Sequence, residues 1–235
     1  MASHRRCLGT WCASLLLTGC IHTDPATAST AAVLPERLQA LIEAQPMDWP
    51  ARIATALPLN DVEAAALAAA VQDRPTAPGA PAAIAVLGRC AAPKVDTVLT
   101  QLIDDRGNLA TEAALAVGDR NAVAAIASLR DAMNDLAADA TLRTAAACGL
   151  ARMGHGKDVA PFLAAILLAG TPAGVEGSRR FGLPERPRWA MERYLVQRML
   201  LREGAPELAR RLDPDASWPD LAQATGQVVA WLAAR

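Results

Sequence analysis

Residues 141–170 read TLRTAAACGLARMGHGKDVAPFLAAILLAG, and this stretch narrows the possible folds more than any other. Leu142, Ala146, Leu150 and Met153 recur at i, i+4, i+8 and i+11, so they share one face of a helix. Gly154 supplies the backbone freedom that ends that helix. His155, Gly156 and Lys157 make a turn, and Asp158 is placed to cap the helix that follows. There Val159, Phe162, Leu163 and Ile166 form a second apolar stripe. Two short helices joined by almost no loop cannot bury both faces by themselves. They need similar pairs on either side, and periodic apolar text on both sides supplies them.

Composition points the same way. The chain is 52% hydrophobic with only 3% aromatic residues, because alanine dominates. Alanine has the highest helix propensity and lets helices approach closely. A β-sandwich or barrel would need many more β-branched and aromatic residues. Helices are predicted over 35–45, 49–57, 62–72, 82–91, 93–104, 109–117, 122–136, 189–201 and 218–234. Asn60 or Asp61 is the expected cap of the third. In 122–136 the predicted stripe is Ile126, Leu129, Met133 and Leu136. In 189–201, Met191, Leu195, Val196, Met199 and Leu200 read as core. The fold class is therefore all-α, a solenoid of short antiparallel helix pairs with atypical terminal helices. Leu221, Ala224, Val228, Val229 and Trp231 are expected to close its end.

Glycine and valine mark the repeat. Gly118 precedes Val123 by five residues and Gly154 precedes Val159 by five, with Ile126 and Phe162 three further on. Gly88, Val95 and Val98 repeat the pattern with two extra residues. The glycines lie 30 and then 36 residues apart, within the range of two-helix repeats. The segments AVLGRCAAPKV, ALAVGDRNAV and GLARMGHGKDV resemble HEAT-type repeats, particularly the short form also found in phycobilin lyases. The resemblance implies a stack in which each pair contacts its neighbours and offers one long surface to partners. It does not carry an activity.

The first 20 residues read as an address. Arg5 and Arg6 precede an apolar run too short to span a bilayer, and Leu17-Thr18-Gly19-Cys20 closes it. This segment resembles the lipobox signal of bacterial lipoproteins. The resemblance implies a signal peptide over 1–19, cleavage before Cys20, and acyl chains on Cys20 that anchor the chain to a membrane. An ordinary secretory signal that contains a Cys is the alternative. Residues 20–34 would then be the lipidated Cys and a flexible tether, and 35–235 the repeat domain. With Ile21 rather than Asp after the Cys, the outer membrane facing the periplasm is favoured. Cys90 and Cys148, the thiols left in the body, are expected as small buried hydrophobes rather than a disulfide.

Rhythm fails at 171–187, TPAGVEGSRRFGLPERP, 17 residues without helical periodicity. Arg179, Arg180, Phe181, Arg186, Arg188 and Trp189 collect there. Arginine beside aromatics suits a partner-binding surface. The alternative is that Phe181 and Trp189 pin the loop while the arginines are solvated.

Catalytic signatures are missing. His155 is the sole histidine of the body and reads as a turn residue, and no metal-ligand cluster or phosphate-binding glycine loop is present. No catalytic residue, cofactor or metal is assigned. A formal net charge of −1 with interspersed signs argues against a nucleic-acid partner. The function expected is therefore a non-enzymatic, lipid-anchored scaffold or adaptor for an envelope protein. Two alternatives stand beside it: an enzyme or carrier for a bulky apolar ligand in the concave groove, and a pilot lipoprotein of a secretion machine.

Overall fold

A computed structural model describes residues 34–183, 190–213 and 215–235. The chain divides into two compact units, 1–31 and 32–235, and the described residues belong to the second. The segments expected as a signal peptide (1–19) and as a lipidated Cys20 with most of its tether lie outside the described residues.

Among the described residues the secondary structure is helical, with no strand. α1 (Glu36–Ile42), α2 (Trp49–Ala56) and α3 (Asp61–Asp73) open the array. Arg37 of α1 ties them together, with a hydrogen bond to the Ala56 carbonyl at the end of α2 and an ion pair to Glu63 of α3 at 2.6 Å. Asn60 caps α3 as expected. Its side chain accepts from the Glu63 N–H at 2.9 Å, and its own N–H donates to the Glu63 carboxylate at 3.1 Å.

Two rows of helices follow. One contains α4 (Ala80–Leu87), α6 (Ala110–Arg120), α8 (Ala140–Leu150) and α11 (Ala190–Arg202), each packed on the next. The other contains α3, α5 (Lys94–Asp104) and α7 (Ile126–Asn134). Each helix of this second row rests on the first-row helix that follows it in the chain: α3 on α4, α5 on α6, α7 on α8. The result is an all-α, solenoid-like array in which helices bury their apolar faces on neighbours. Closing it, α9 (Gly156–Leu168) packs on α8 and receives α13 (Trp218–Ala233). Leu221, Ala224 and Val228 of α13 are buried as expected. Leu232 completes that face, while Val229 and Trp231 are only half-buried.

Burial corrects the register of the repeat. Ala83, Ile84 and Leu87 correspond to Ala113, Ala114 and Val117 thirty residues later, then to Thr144, Ala145 and Cys148 a further 31 on, and all are buried. Continuing this register aligns Gly88, Gly118 and Gly149. A Cβ on Gly118 would lie 2.7 Å from the Gly149 Cα, so these two glycines let α6 and α8 touch backbone to backbone. Gly154 has a different task. At φ 86° it turns the chain between α8 and α9, as Asn121 does at φ 54° after α6.

In the second row the buried equivalents are Val95, Ala125 and Val159, not Val123, which is 67% exposed in a single 3₁₀ turn. Leu136 is likewise exposed, leaving Leu129 as the buried centre of α7, with Ile126 and Met133 half-buried. Nor does Asp158 cap α9. The helix already begins at Gly156, and the Asp158 carboxylate faces Arg130 at 3.2 Å. In α11 the structure buries Leu195, Val196, Met199 and Leu200 but leaves Met191 exposed.

The stretch expected as a long loop holds a short helix, α10 (Val175–Arg180), after a 3₁₀ turn at Pro172–Gly174. Thr171 accepts from the Gly174 N–H at 3.1 Å and starts it. Ser178 and Gly174 are buried beneath it.

Candidate functional site: an arginine-lined groove at the helix ends

The first-row helices all terminate on one edge, and an arginine stands at or just beyond each end. Arg89 follows α4, Arg120 ends α6, Arg152 follows α8 and Arg202 ends α11. A cation there meets the negative end of the helix dipole and the free carbonyls of the last turn. Together the four line a solvent-open groove of about 590 Å³, whose remaining walls include Cys90, Ala91, Pro93, Asp96 and Asp119.

Three of these arginines are committed to holding the groove in shape. The Arg120 side chain is only 6% exposed and spends its guanidinium on four partners. Nε donates to Asp96 in the first turn of α5, Nη1 to the carbonyls of Leu87 and Cys90, and Nη2 to the Ala92 carbonyl at 2.9 Å. It thereby welds the α4–α5 connection onto the end of α6. Asp119, 13% exposed, is ion-paired with both Arg152 and Arg202. Arg152 also donates from Nε to Glu203 at 2.9 Å, and Arg235 closes the network on Glu203 at 2.5 Å. Burial pushes the Glu203 carboxyl up, but the hydrogen bonds and charges of Arg152 and Arg235 outweigh it and hold it below the ordinary range.

Arg89 differs from the other three. It is exposed, and among the described residues no hydrogen bond or ion pair engages its side chain. Charge in the groove is therefore unbalanced. Arg120 and Asp96 cancel, and Arg152, Arg202 and Arg235 exceed Asp119 and Glu203 by one. Arg89 adds a second uncompensated positive charge. A planar guanidinium offers paired donors, so the groove is built to receive carboxylates or other oxyanions.

Next to it Glu112 faces Arg198 across a small hollow lined by Ala85, Leu115, Ala116 and Asp119. Burial raises the Glu112 carboxyl above its usual value, and the Arg198 charge offsets only part of that. The hollow is too small for a bulky apolar ligand, and the groove itself carries neither Met nor Trp.

Nucleophile chemistry finds little support in this geometry. The Cys90 Sγ donates to the Leu87 carbonyl at 3.1 Å and lies 3.5 Å from Arg120, with no histidine lining the groove. Cys148 is buried, and burial pushes its thiol up to about 12. Both thiols are free. The His155 ring sits elsewhere, between Arg130 at 3.4 Å and Asp158 at 3.6 Å. Among the described residues no group of three or more His, Cys, Asp or Glu is placed to hold a metal ion.

The residues expected to form a partner-binding loop are divided. Arg179 and Arg180 are exposed on the last turn of α10. Phe181 is half-buried, edge-on to Phe162 with ring centroids 5.4 Å apart and planes at 90°. Arg143, only 3% exposed, holds that segment from below. It donates to the Phe181 carbonyl at 2.7 Å and the Met133 carbonyl at 2.9 Å, and lies over the Phe162 ring at 5.2 Å. Arg186, Arg188 and Trp189 lie outside the described residues. The helix-end groove is not legible in the sequence because its members are spread from Gly88 to Arg202 in the chain. The one local signal was a basic residue at the end of each first-row helix.

No protein-family model, curated protein or solved structure matches the chain. Fold and groove together define an all-α, solenoid-like array with an arginine-lined groove along one edge.

Proposed function

We propose that this chain is a lipid-anchored, HEAT-type scaffold of the bacterial envelope that holds a protein partner along its helix-end edge. The lipobox-like Leu17-Thr18-Gly19-Cys20 supports the anchor, and Ile21 supports an outer-membrane address facing the periplasm. No described helix is long and apolar enough to cross a membrane.

The observation that carries the binding half is Arg89. It stands exposed and uncommitted in a groove whose other arginines are locked in ion pairs, which is how a preorganised recognition surface is built. The groove is open and polar, which favours a scaffold over an enzyme or carrier with a deep apolar pocket. Arg179 and Arg180 give the α10 segment a second positive surface, available to the same partner.

Fractionation of Cys20→Ala against the native chain tests the anchor. The native chain is expected in the membrane fraction, labelled by palmitate, and the variant in the soluble periplasmic fraction without label. A variant that stays fully membrane-bound would overturn the anchor.

A further inference from the structure

We infer that the groove takes an extended, acidic peptide segment of the partner, with one of its carboxylates seated on Arg89; this rests on the scaffold reading above. Arg89, Arg120, Arg152 and Arg202 mark the ends of four consecutively packed helices. Only Arg89 among them is exposed without a side-chain partner among the described residues, whereas Arg120, Arg152 and Arg202 are engaged by Asp96, Asp119 and Glu203. A carboxylate of the peptide therefore seats on Arg89, and the surplus positive charge of the lining favours further acidic side chains along the segment.

Two features favour a peptide over a small free anion. At about 590 Å³ and open to solvent, the groove exceeds what a single phosphate or carboxylate fills, and its positive charge is spread along an edge rather than focused. Its floor also offers uncharged contact. Ala91 and Pro93 are exposed there, and Cys90 is half-buried between them and Arg120. Asp96 and Asp119 are each paired with arginine and so repel an incoming carboxylate only weakly.

The test uses the full chain in detergent and a fluorescein-labelled twelve-residue peptide, (Glu-Ala-Ser)₄, read by anisotropy at low and at 0.5 M salt. The controls are the same peptide with Lys for Glu, and vesicles of one-third phosphatidylglycerol. The variants are Arg89→Glu, and Arg210→Glu, which makes the same charge change on α12 (Pro206–Arg211).

Saturable binding that falls at least tenfold in Arg89→Glu and is unchanged in Arg210→Glu supports the inference. The peptide should also slow N-ethylmaleimide labelling of Cys90 in the native chain. No binding, equal loss in both variants, equal binding of the Lys peptide, or Arg89-dependent binding to vesicles instead of peptide would each overturn it. Photo-crosslinking from Ala91 in membranes separates the two levels. A partner trapped there while the acidic peptide fails leaves the scaffold reading standing and removes only this one.

Discussion

The Gly149 Cα lies 2.7 Å from where a Cβ on Gly118 would sit. The α6–α8 contact therefore exists only because neither residue has a side chain. Ordinarily Ala for Gly inside a helix gains about 0.5–1 kcal/mol by reducing unfolded-chain freedom. At this crossing overpacking, about 1–3 kcal/mol, opposes and exceeds that gain.

Gly118→Ala is thus expected to lower Tm, whereas Gly226→Ala in α13, with open space around its Cβ, should raise it slightly. For a chain of this size each kcal/mol moves Tm by about 2–4 °C. Thermal melts of the two variants check the contrast, and a Gly118→Ala chain as stable as the parent would refute the close packing.

Asp119 joins Arg152 and Arg202, so it links the turn after α8 and the end of α11 to the end of α6. Removing it strands Arg202 and leaves Arg152 with Glu203 as its remaining partner, both side chains being mostly buried. Asp119→Ala should cost about 2–3 kcal/mol, somewhat less than the 3–5 of a fully buried pair because water still reaches the edge. Breaking the exposed Arg210–Glu207 pair should cost no more than about 0.5 kcal/mol. Urea unfolding curves of the two variants measure both values.

Two carboxyls give opposite pH slopes. Glu203 is held below the ordinary 4.5 in the fold, so its contribution is complete above that value and is lost as pH falls through the lowered one. Glu112 is raised, so its ionisation opposes folding, and its penalty fades as pH falls through the raised value toward 4.5. Glu112→Gln should therefore raise stability at pH 7 and lose that advantage by pH 4. Glu203→Gln should lower stability at pH 7, with the difference closing below pH 4. Urea midpoints between pH 7 and 3.5 decide both signs.

The two thiols of the body should differ sharply in reactivity. Cys90 is half-buried at the groove, whereas Cys148 is buried with its thiol pushed up to about 12. Under native conditions maleimide should label Cys90 and spare Cys148, with both labelled in urea, as peptide mapping would show. Native labelling of Cys148 would contradict the packing of α8.

Helix identity was legible in the sequence because apolar spacing and alanine content are local properties. A cap at Asn60 or Asp61 and the closing helix α13 were read for the same reason, whereas the reciprocal Glu63 bond that makes Asn60 a capping box was not. The repeat register was not, since a packing glycine and a turn glycine look alike in text. Gly154 turns the chain, while Gly149 carries the contact that pairs with Gly118. Val123 misled because an apolar residue in a single 3₁₀ turn can face water without great cost. α10 escaped notice because six residues are too few for periodicity to show. The groove was illegible because Asp96, Asp119 and Arg202 meet only after three helices have packed.

The central claim is that a partner sits on the helix-end edge of a membrane-anchored scaffold. Photo-crosslinking from a reactive residue at Ala91 in intact membranes, compared with position 189, tests it most directly. The expected result is one dominant envelope protein joined at Ala91, lost when Arg89→Glu is added while the chain remains abundant and folded. No adduct at Ala91 in an abundant, folded chain, or an adduct indifferent to Arg89→Glu, would contradict the account.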